Sequence, residues 1–236
     1  MPAPEPGERW GILGGAFDPV HFGHLTLARE IRNKVKLDGV LLVPTLEPPH
    51  RPQQPVVDFE DRVTMLELAL QGETAMAVSR IEETTSRPSY TLDTVRALKR
   101  KYPQVEYVFV IGADIVSQFK TWHCWQDLLR EIKLIVGYRP GADLSEMSAY
   151  PEDRFTLVET TPVDLSSTQV RERIRMGATR EQLSEMVPPS VADFILRGGS
   201  TCEQRRGEEA LPDRRLGDVL PGAFRLCPQS PHQLQR

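Results

Sequence analysis

Two histidines follow a pair of glycines near the start of the chain, in the stretch GGAFDPVHFGH (residues 14–24). A short apolar run (residues 10–13) comes before this stretch. Apolar residues at helical spacing (residues 25–35) come after it. The order therefore predicts a strand, a glycine turn and a helix. In an open α/β sheet, such a turn lies at the carboxyl end of a strand, where ligands bind.

The residue types in this turn are suited to a polyphosphate. Gly14 and Gly15 let backbone N–H groups approach a phosphate with no Cβ in the way. His21 and His24 are three residues apart at the helix start, so both rings can face one side. The helix N-terminus adds oriented N–H groups and a partial positive charge. These features together predict an anion site.

Other interpretations of the stretch remain open from the residues alone. The glycines do not fit the dinucleotide fingerprint G-x-G-x-x-G, and no G-K-[ST] follows as in a P-loop. The histidine pair could bind a metal, although the pattern contains no third ligand. The two histidines could also be structural residues.

A second motif, DLSSTQVRERI (residues 164–174), gathers hydroxyl side chains and an arginine at another predicted helix start. Ser166, Ser167 and Thr168 lie at that start, and Arg171 lies one turn further along. Hydroxyl groups, free N–H groups and a guanidinium can converge there on one anion. The alternative is an N-cap followed by an exposed basic helix.

Two further segments carry candidate residues for binding. His50 and Arg51 lie in a proline-rich loop after a predicted strand, which is either a phosphate clamp or a surface loop. Tyr90 and Thr91 precede a predicted helix whose first N–H groups could hold a small anion; alternatively Ser89 or Thr91 only caps it.

Asp114 and two tryptophans follow the most apolar run of the chain, residues 105–111. Asp114 could accept hydrogen bonds from a ribose or cap the next helix. Trp122 and Trp125 are close together, as is typical of a core. We expect Trp125 to be a core residue.

Alternating strands and helices predict an α/β fold. The predicted strands cover residues 10–13, 39–44, 75–81, 105–111, 132–138 and 154–159. The predicted helices cover 25–35, 58–70 and 92–102, one ending at 128–131, one starting near 166 and one over 187–195. We divide the chain into a flexible N-terminal segment (1–9), one domain (10–197) and a C-terminal tail (198–236) with the composition of a disordered segment.

Composition limits the classes of function. The chain has 236 residues, of which 39% are hydrophobic, and a net charge of −4 from 29 basic and 33 acidic residues. This charge argues against a general nucleic-acid binder. No apolar run approaches the roughly 18 residues of a membrane helix, and the N-terminus lacks the apolar region of a signal peptide. Three widely spaced cysteines form neither a zinc pattern nor a disulfide framework, so we expect a cytoplasmic protein.

The motifs together resemble those of one enzyme family. The string G-G-x-F-D-P-x-H-x-G-H resembles the signature of the HxGH nucleotidylyltransferases, which have a Rossmann-like, mostly parallel doubly wound sheet with helices on both faces. With P-P-H-R, P-S-Y-T, G-A-D, the Trp122 segment and S-S-T-x-x-R, the match is to the bacterial-type nicotinate-nucleotide adenylyltransferases. It covers residues 11–197; Leu165 stands where the family has isoleucine, which keeps the apolar character.

The resemblance implies a role for each candidate residue. His21, His24 and Arg171 would be catalytic. The implied ATP-binding residues are Gly14, Gly15, Phe17, His21, Gly23, His24, Asp114, Ser166, Ser167, Thr168 and Arg171. The implied substrate-binding residues are Gly15, Ala16, Phe17, His50, Arg51, Tyr90, Thr91 and Trp122, with Trp122 stacking on the pyridine ring.

The implied reaction joins the adenylyl group of ATP to nicotinate mononucleotide in NAD biosynthesis. It gives nicotinate adenine dinucleotide and pyrophosphate. Mg²⁺ would be bound through the ATP phosphates, with no protein metal site. A sister enzyme acting on nicotinamide mononucleotide or phosphopantetheine, and a non-catalytic nucleotide-binding regulator, are the alternatives. A homo-oligomer is compatible with the sequence.

Overall fold

One six-stranded sheet forms the centre of the protein. The computed structural model describes residues 2–49 and 57–198, and every pair of neighbouring strands in it is parallel. The strands are β1 Arg9–Gly15, β2 Gly39–Pro44, β3 Met76–Val78, β4 Glu106–Gly112, β5 Lys133–Tyr138 and β6 Phe155–Glu159. They lie in the order β3-β2-β1-β4-β5-β6. This is the strand order of a Rossmann-type doubly wound sheet, which confirms the predicted fold class.

Helices cover both faces of this sheet. They are α1 Phe22–Val35, α2 Phe59–Ala69, α3 Thr91–Lys101, α4 Trp125–Glu131, α5 Ser167–Arg175, α6 Arg180–Ser184 and α7 Pro189–Leu196. Short 3₁₀ segments occur at Ile81–Thr84, Ala113–Thr121, Ser145–Ala149 and Glu152–Arg154. One apolar cluster joins the sheet to α1, α2, α5, α6 and α7, and a second joins it to α3 and α4.

The strands alternate between the two clusters. On β1, Leu13 packs in the first cluster and Ile12 in the second. On β4, Val110 packs in the first cluster and Phe109 in the second. Since successive side chains of a strand point to opposite faces, a sheet covered on both sides requires continuous apolar runs. This is why the central strands were readable from the sequence.

The topology points to one edge of the sheet as the place for a ligand. From β1 the chain continues to β2 on one side, whereas β4 pairs with β1 on the other. The strand order therefore reverses between β1 and β4. In doubly wound sheets, ligands bind at the carboxyl ends of the strands at this switch point. Here those ends are Gly15 and Gly112.

Most predicted boundaries lie close to the observed ones. β2 spans the predicted residues, and the remaining strands differ at their ends by a few residues. Helix α6 was not predicted, because its five residues are too few to show a helical period. Residues 50–56 and 199–236 lie outside the described ranges, and most of the predicted tail is among them.

The predicted cap of α3 is wrong. Tyr90 occupies the N-cap position, and its side chain makes no capping hydrogen bond. The Ser89 hydroxyl instead accepts a hydrogen bond from the N–H of Glu47 at 3.2 Å, and the Ser89 N–H donates to Glu47 O at 2.8 Å. Ser89 therefore ties the segment after β2 to the start of α3. Asp114 does not cap the following 3₁₀ segment either, since Gly112 is at its N-cap.

Across the described ranges, none of the helices combines the length and the apolar character needed to cross a bilayer.

Candidate active site

The turn between β1 and α1 is shaped by a buried aromatic ring. Phe17 has a φ of 48°, and its side chain is buried. A Cβ on Gly15 would lie 3.4 Å from this ring. The ring also meets His24 edge-on, with centroids 4.9 Å apart. Because a left-handed backbone is uncommon for a non-glycine residue, burial of the ring helps to keep the turn in this shape.

Three carbonyl groups of the same turn are held by side chains from other helices. The pairs are Arg62 Nη1 with Ala16 O at 2.7 Å, Arg171 Nη1 with Asp18 O at 2.6 Å, and Ser167 Oγ with Pro19 O at 2.9 Å. The donors come from α2 and α5. Each carbonyl oxygen is thus paired within the protein, which limits its repulsion of an anion bound at the turn.

The start of α1 differs from the expected anion site. The N–H of Phe22 donates to Met186 O at 3.0 Å, because the segment before α7 packs against this end of the helix. The N–H of His21 donates to His24 Nδ1 at 3.3 Å, and the His24 N–H donates to His21 O. These backbone donors are used inside the protein. The histidine side chains, the glycine turn and the N–H of Gly23 are therefore the groups that remain to meet a ligand.

The two histidine rings are stacked on each other. Their centroids are 3.7 Å apart, and the ring planes differ by 30°. Gly23 makes room for this pair, since a Cβ there would lie 3.0 Å from the His21 ring and 3.4 Å from Leu165 O. Glycine at this position allows α5 and its preceding loop to approach the histidines.

Burial keeps both imidazoles neutral at pH 7. It lowers the pKa of His21 from 6.5 to about 4. Burial and the neighbouring His21 lower the pKa of His24 well below its usual value. His24 Nδ1 accepts a hydrogen bond from a backbone N–H, so the proton of the neutral ring is on Nε2. His24 therefore offers an Nε2–H donor.

The start of α5 is capped by the second motif. Ser166 is the N-cap; its hydroxyl accepts from the Gln169 N–H, and its own N–H donates to Gln169 Oε1 at 2.6 Å. The first N–H groups of a helix have no acceptor within it. At α5 these belong to Ser167 and Thr168, which lie beside the glycine turn.

Arg171 lies between α5 and the turn. Besides its bond to the Asp18 carbonyl, its Nη1 is 3.7 Å from the Asp18 carboxylate, and its Nη2 donates to Thr168 Oγ1 at 3.1 Å. A guanidinium has five N–H donors in one plane. These contacts fix the plane of the Arg171 guanidinium at the rim of the cleft.

Aromatic side chains line the opposite part of the cleft. The rings of Tyr90 and His123 are stacked, with centroids 4.1 Å apart. Trp122 is partly buried and meets Phe109 edge-on at 5.9 Å. The first N–H groups of α3, at Thr91 and the residue after it, have no acceptor within the helix. This region combines flat apolar surfaces with backbone donors.

The structure brings the two regions into one cleft of about 1280 Å³ at the switch point of the sheet. The sequence-predicted residues that line it are Gly14, Gly15, Ala16, Phe17, His21, Gly23, His24, Tyr90, Thr91, Asp114, Trp122, Ser166, Ser167, Thr168 and Arg171. Asp114 is exposed at the end of β4. The predicted residues His50 and Arg51 lie outside the described ranges.

Sequence reasoning missed several polar residues at this site. Arg139, His123 and Glu82 also line the cleft. Arg139 follows β5, so the rule that ligands meet the carboxyl ends of strands could have found it. Glu82 and Arg62 gave no such signal, because a charged residue that becomes buried looks the same in sequence as an exposed one.

The sheet order and the cleft define a doubly wound α/β protein with its cleft at the switch point of the sheet. Residues 12–173 match the family model described as "Cytidylyltransferase-like". This match spans more than half of the chain.

Similar proteins with curated names indicate which kind of enzyme within this family the chain resembles. A protein of Gloeobacter violaceus named "Probable nicotinate-nucleotide adenylyltransferase" is 38% identical over 199 residues, covering 82% of this chain and 96% of that protein. A protein of Halalkalibacterium halodurans with the same name is 39% identical over 202 residues, covering 84% and 95%. The chain therefore belongs to the cytidylyltransferase-like family and, within it, to the nicotinate-nucleotide adenylyltransferases.

A solved structure shares the fold. The Plasmodium falciparum nicotinic acid mononucleotide adenylyltransferase complexed with NaAD matches with a TM-score of 0.69 at 18% identity, covering 82% of this chain and 97% of that one.

The lowered pKa of His21 predicts a loss of stability in mild acid. As pH falls below 6.5 the unfolded chain binds a proton at this ring, whereas the folded protein does so only near pH 4. Between pH 7 and pH 5, the free energy of unfolding should fall by about 2 kcal/mol on account of His21. Urea unfolding of the wild type and His21→Gln at both pH values measures this contribution. An equal loss of stability in the two proteins would show that the pKa of His21 is not lowered by folding, so that the ring is protonated in the folded protein at pH 5.

Proposed function

We propose that this protein transfers the adenylyl group of ATP to the phosphate of nicotinate mononucleotide. An oxygen of the mononucleotide phosphate attacks the α-phosphorus of ATP. The bond from that phosphorus to the oxygen bridging to the β-phosphorus breaks, and its electron pair leaves with pyrophosphate. The product is nicotinate adenine dinucleotide. The names of the curated relatives and the neighbour complexed with NaAD support this assignment.

One observation carries the proposal. A single cleft joins an anion site, formed by the glycine turn, the histidine pair and α5, to an aromatic site at α3 and Trp122. A polyphosphate suits the first site and a pyridine ring suits the second. A reaction that links ATP to a pyridine mononucleotide needs both sites in one continuous space.

The chemistry requires no strong base from the protein. A phosphate monoester has a second pKa of about 6, so it is already an anionic nucleophile at neutral pH. The protein has to bring two polyanions together and stabilise the charge that moves onto the leaving pyrophosphate. Directional donors in a partly water-excluded cleft serve this purpose.

The donors come from both sides of the turn. His24 offers Nε2–H, and Gly14 and Gly15 allow close approach of the chain to the phosphates. Arg171 supplies a fixed positive charge, which we assign to the β- and γ-phosphates of ATP. Ser166, Ser167 and Thr168 supply hydroxyl groups and N–H groups, and Asp114 is assigned to the ribose.

Magnesium enters this proposal as part of the MgATP substrate. Within the described ranges, no group of three or more His, Cys, Asp or Glu side chains is arranged to hold a metal ion. Mg²⁺ commonly keeps several waters and is held mainly by substrate phosphates in enzymes of this kind. The donor set of the cleft suits the phosphate oxygens that the ion leaves uncovered.

The acceptor is assigned to the aromatic site. Trp122 is the stacking partner of the pyridine ring, and the N–H groups around Tyr90 and Thr91 face its carboxylate. His50 and Arg51, together with Ala16 and Phe17, are assigned to the mononucleotide phosphate and its surroundings by family resemblance. A homo-oligomer in the cytoplasm stays a prediction, as does the absence of nucleic-acid and membrane partners.

Loss of the His24 donor should slow the reaction strongly. His24→Ala removes one oriented N–H from the charge that develops in the transition state, so kcat should fall about 10²- to 10³-fold. Pyrophosphate release measures the rate, and circular dichroism with thermal melting checks that the variant is folded. Unchanged turnover in a folded variant would remove His24 from the catalytic role.

The deamidated acceptor should be preferred over its amide. A carboxylate needs only donors, whereas the NH₂ of a carboxamide would meet the N–H groups at the start of α3 and stay unpaired. That mismatch should lower kcat/KM for nicotinamide mononucleotide by roughly 5- to 150-fold relative to nicotinate mononucleotide.

The same assay separates the alternative functions. Pyrophosphate release from ATP and magnesium is measured with nicotinate mononucleotide, nicotinamide mononucleotide and phosphopantetheine in parallel. Equal kcat/KM for the two pyridine nucleotides would mean that acceptors line the aromatic site. Turnover with phosphopantetheine alone would identify a sister enzyme, and binding of ATP without turnover on any acceptor would identify a regulator.

A further inference from the structure

Two buried charged side chains near the cleft have no part in the chemistry described above. Arg62 lies on α2 and is 1% exposed; Glu82 lies in the 3₁₀ segment Ile81–Thr84 and is 6% exposed. Charged side chains are rarely this buried unless they are paired. Each of the two contacts a different part of the cleft.

Arg62 contacts the turn after β1, whose glycines and histidines are assigned to ATP and whose Ala16 also borders the acceptor phosphate. Its Nη1 donates to Ala16 O at 2.7 Å, within the turn after β1, and its Nε donates to Val57 O at 3.1 Å. Its guanidinium also lies 5.4 Å from the centre of the Phe59 ring. One planar group thus joins the turn to the start of α2. Burial lowers the pKa of Arg62 to about 10, so it remains charged at neutral pH.

Glu82 contacts the acceptor side. Its Oε2 accepts from the Leu46 N–H at 2.9 Å, just after β2, and its Oε1 accepts from Thr94 Oγ1 at 3.1 Å, in the first turns of α3. Burial raises the pKa of Glu82, while these hydrogen bonds and the charge of Arg62 oppose the rise. Glu82 therefore ties the strand-end segment to the helix that carries Tyr90 and Thr91.

The two groups also act on each other. The charge of Glu82 raises the pKa of Arg62, and the charge of Arg62 lowers that of Glu82. Asp18, in the turn, adds to the field at Arg62. Burying a charged side chain costs free energy that its hydrogen bonds only partly offset. The clearest effect of these two residues is geometric, because each holds chain segments on one side of the cleft.

We propose that Arg62 and Glu82 are positioning residues that set the two halves of the cleft at the separation needed for attack on the α-phosphorus. Arg62 fixes, through Ala16, the turn whose glycines and histidines bind ATP, and Glu82 fixes the acceptor side through Leu46 and Thr94. Neither group touches the reacting atoms. The inference rests on the proposed adenylyl transfer. Small misplacements of reacting groups can lower rates about 10²-fold.

Steady-state kinetics, with KM determined separately for ATP and for nicotinate mononucleotide, tests whether Arg62 and Glu82 act on different sides of the cleft. Arg62→Lys keeps the charge but loses the planar fork, so KM for ATP should rise about tenfold and kcat should fall about 10²-fold. Glu82→Gln keeps the shape but loses the charge, so KM for nicotinate mononucleotide should rise instead. Leu66→Ala, one turn along α2 in the apolar core, is the matched control that lowers the melting temperature with both KM values at wild type.

Thr94→Val provides a second variant on the acceptor side. It removes one donor to Glu82 and keeps the side-chain shape, so it should raise KM for the mononucleotide even if the charge variants do not fold. Folded variants with lower melting temperatures but unchanged KM values, as in the control, would show that the pair is only structural. The proposal would also be overturned if Arg62→Lys raised KM for nicotinate mononucleotide and left KM for ATP unchanged.

The result for the wild-type protein in the same assay distinguishes failure of the positioning role from failure of the proposed adenylyl transfer. If the wild type turns over and the variants keep wild-type KM values, only the positioning role is disproved. If the wild type releases no pyrophosphate with any acceptor, adenylyl transfer itself is defeated. Arg62→Lys is then judged by calorimetric binding of ATP, where an unchanged affinity overturns the role of Arg62 as well.

Discussion

The anion site depends on the hydrogen bonds that hold the carbonyl groups of the turn after β1. A polyphosphate is repelled by carbonyl oxygens and attracted by N–H groups, so a turn binds it better when its carbonyls are paired elsewhere. Here Arg62, Arg171 and Ser167 hold the carbonyls of Ala16, Asp18 and Pro19. The donors lie on α2 and α5, which pack in the same apolar cluster on one face of the sheet. The packing of that face therefore fixes the chemistry at its edge.

In the proposed mechanism, the histidine pair attracts an anion without carrying a charge of its own. Burial lowers the pKa of both rings and keeps them neutral at pH 7, so His24 acts through its Nε2–H, and the nearby positive charge comes from Arg171. Hydrogen bonds are stronger in a low-dielectric environment than in water. A neutral donor also leaves no buried charge to be compensated when the cleft is empty. Because the acceptor phosphate is already ionised, the site needs no base, and its work is positioning and charge stabilisation.

Much of the fold and site could be predicted because the signals were local. The glycine turn with its histidines, the boundaries of β2 and the capped start of α5 each depend on residues close in sequence, and the structure brings their side chains into one cleft. What could not be predicted depends on distant partners. The Phe22 N–H, at a helix start whose N–H groups were expected to meet a phosphate, donates to the Met186 carbonyl instead. Ser89, one of two residues expected to cap α3, accepts from the Glu47 N–H with its hydroxyl. Arg62 and Glu82 look like surface charges until the fold buries them.

In the proposed mechanism the two substrates react directly, with the acceptor phosphate in line with the departing pyrophosphate. The stereochemical course at the α-phosphorus tests this most directly. The protein is given nicotinate mononucleotide and ATP carrying a single sulfur of known configuration on the α-phosphorus, and the configuration of the dinucleotide product is determined by phosphorus NMR. A single direct displacement predicts inversion. Retention would mean two successive displacements through an adenylylated protein side chain, and it would contradict the account.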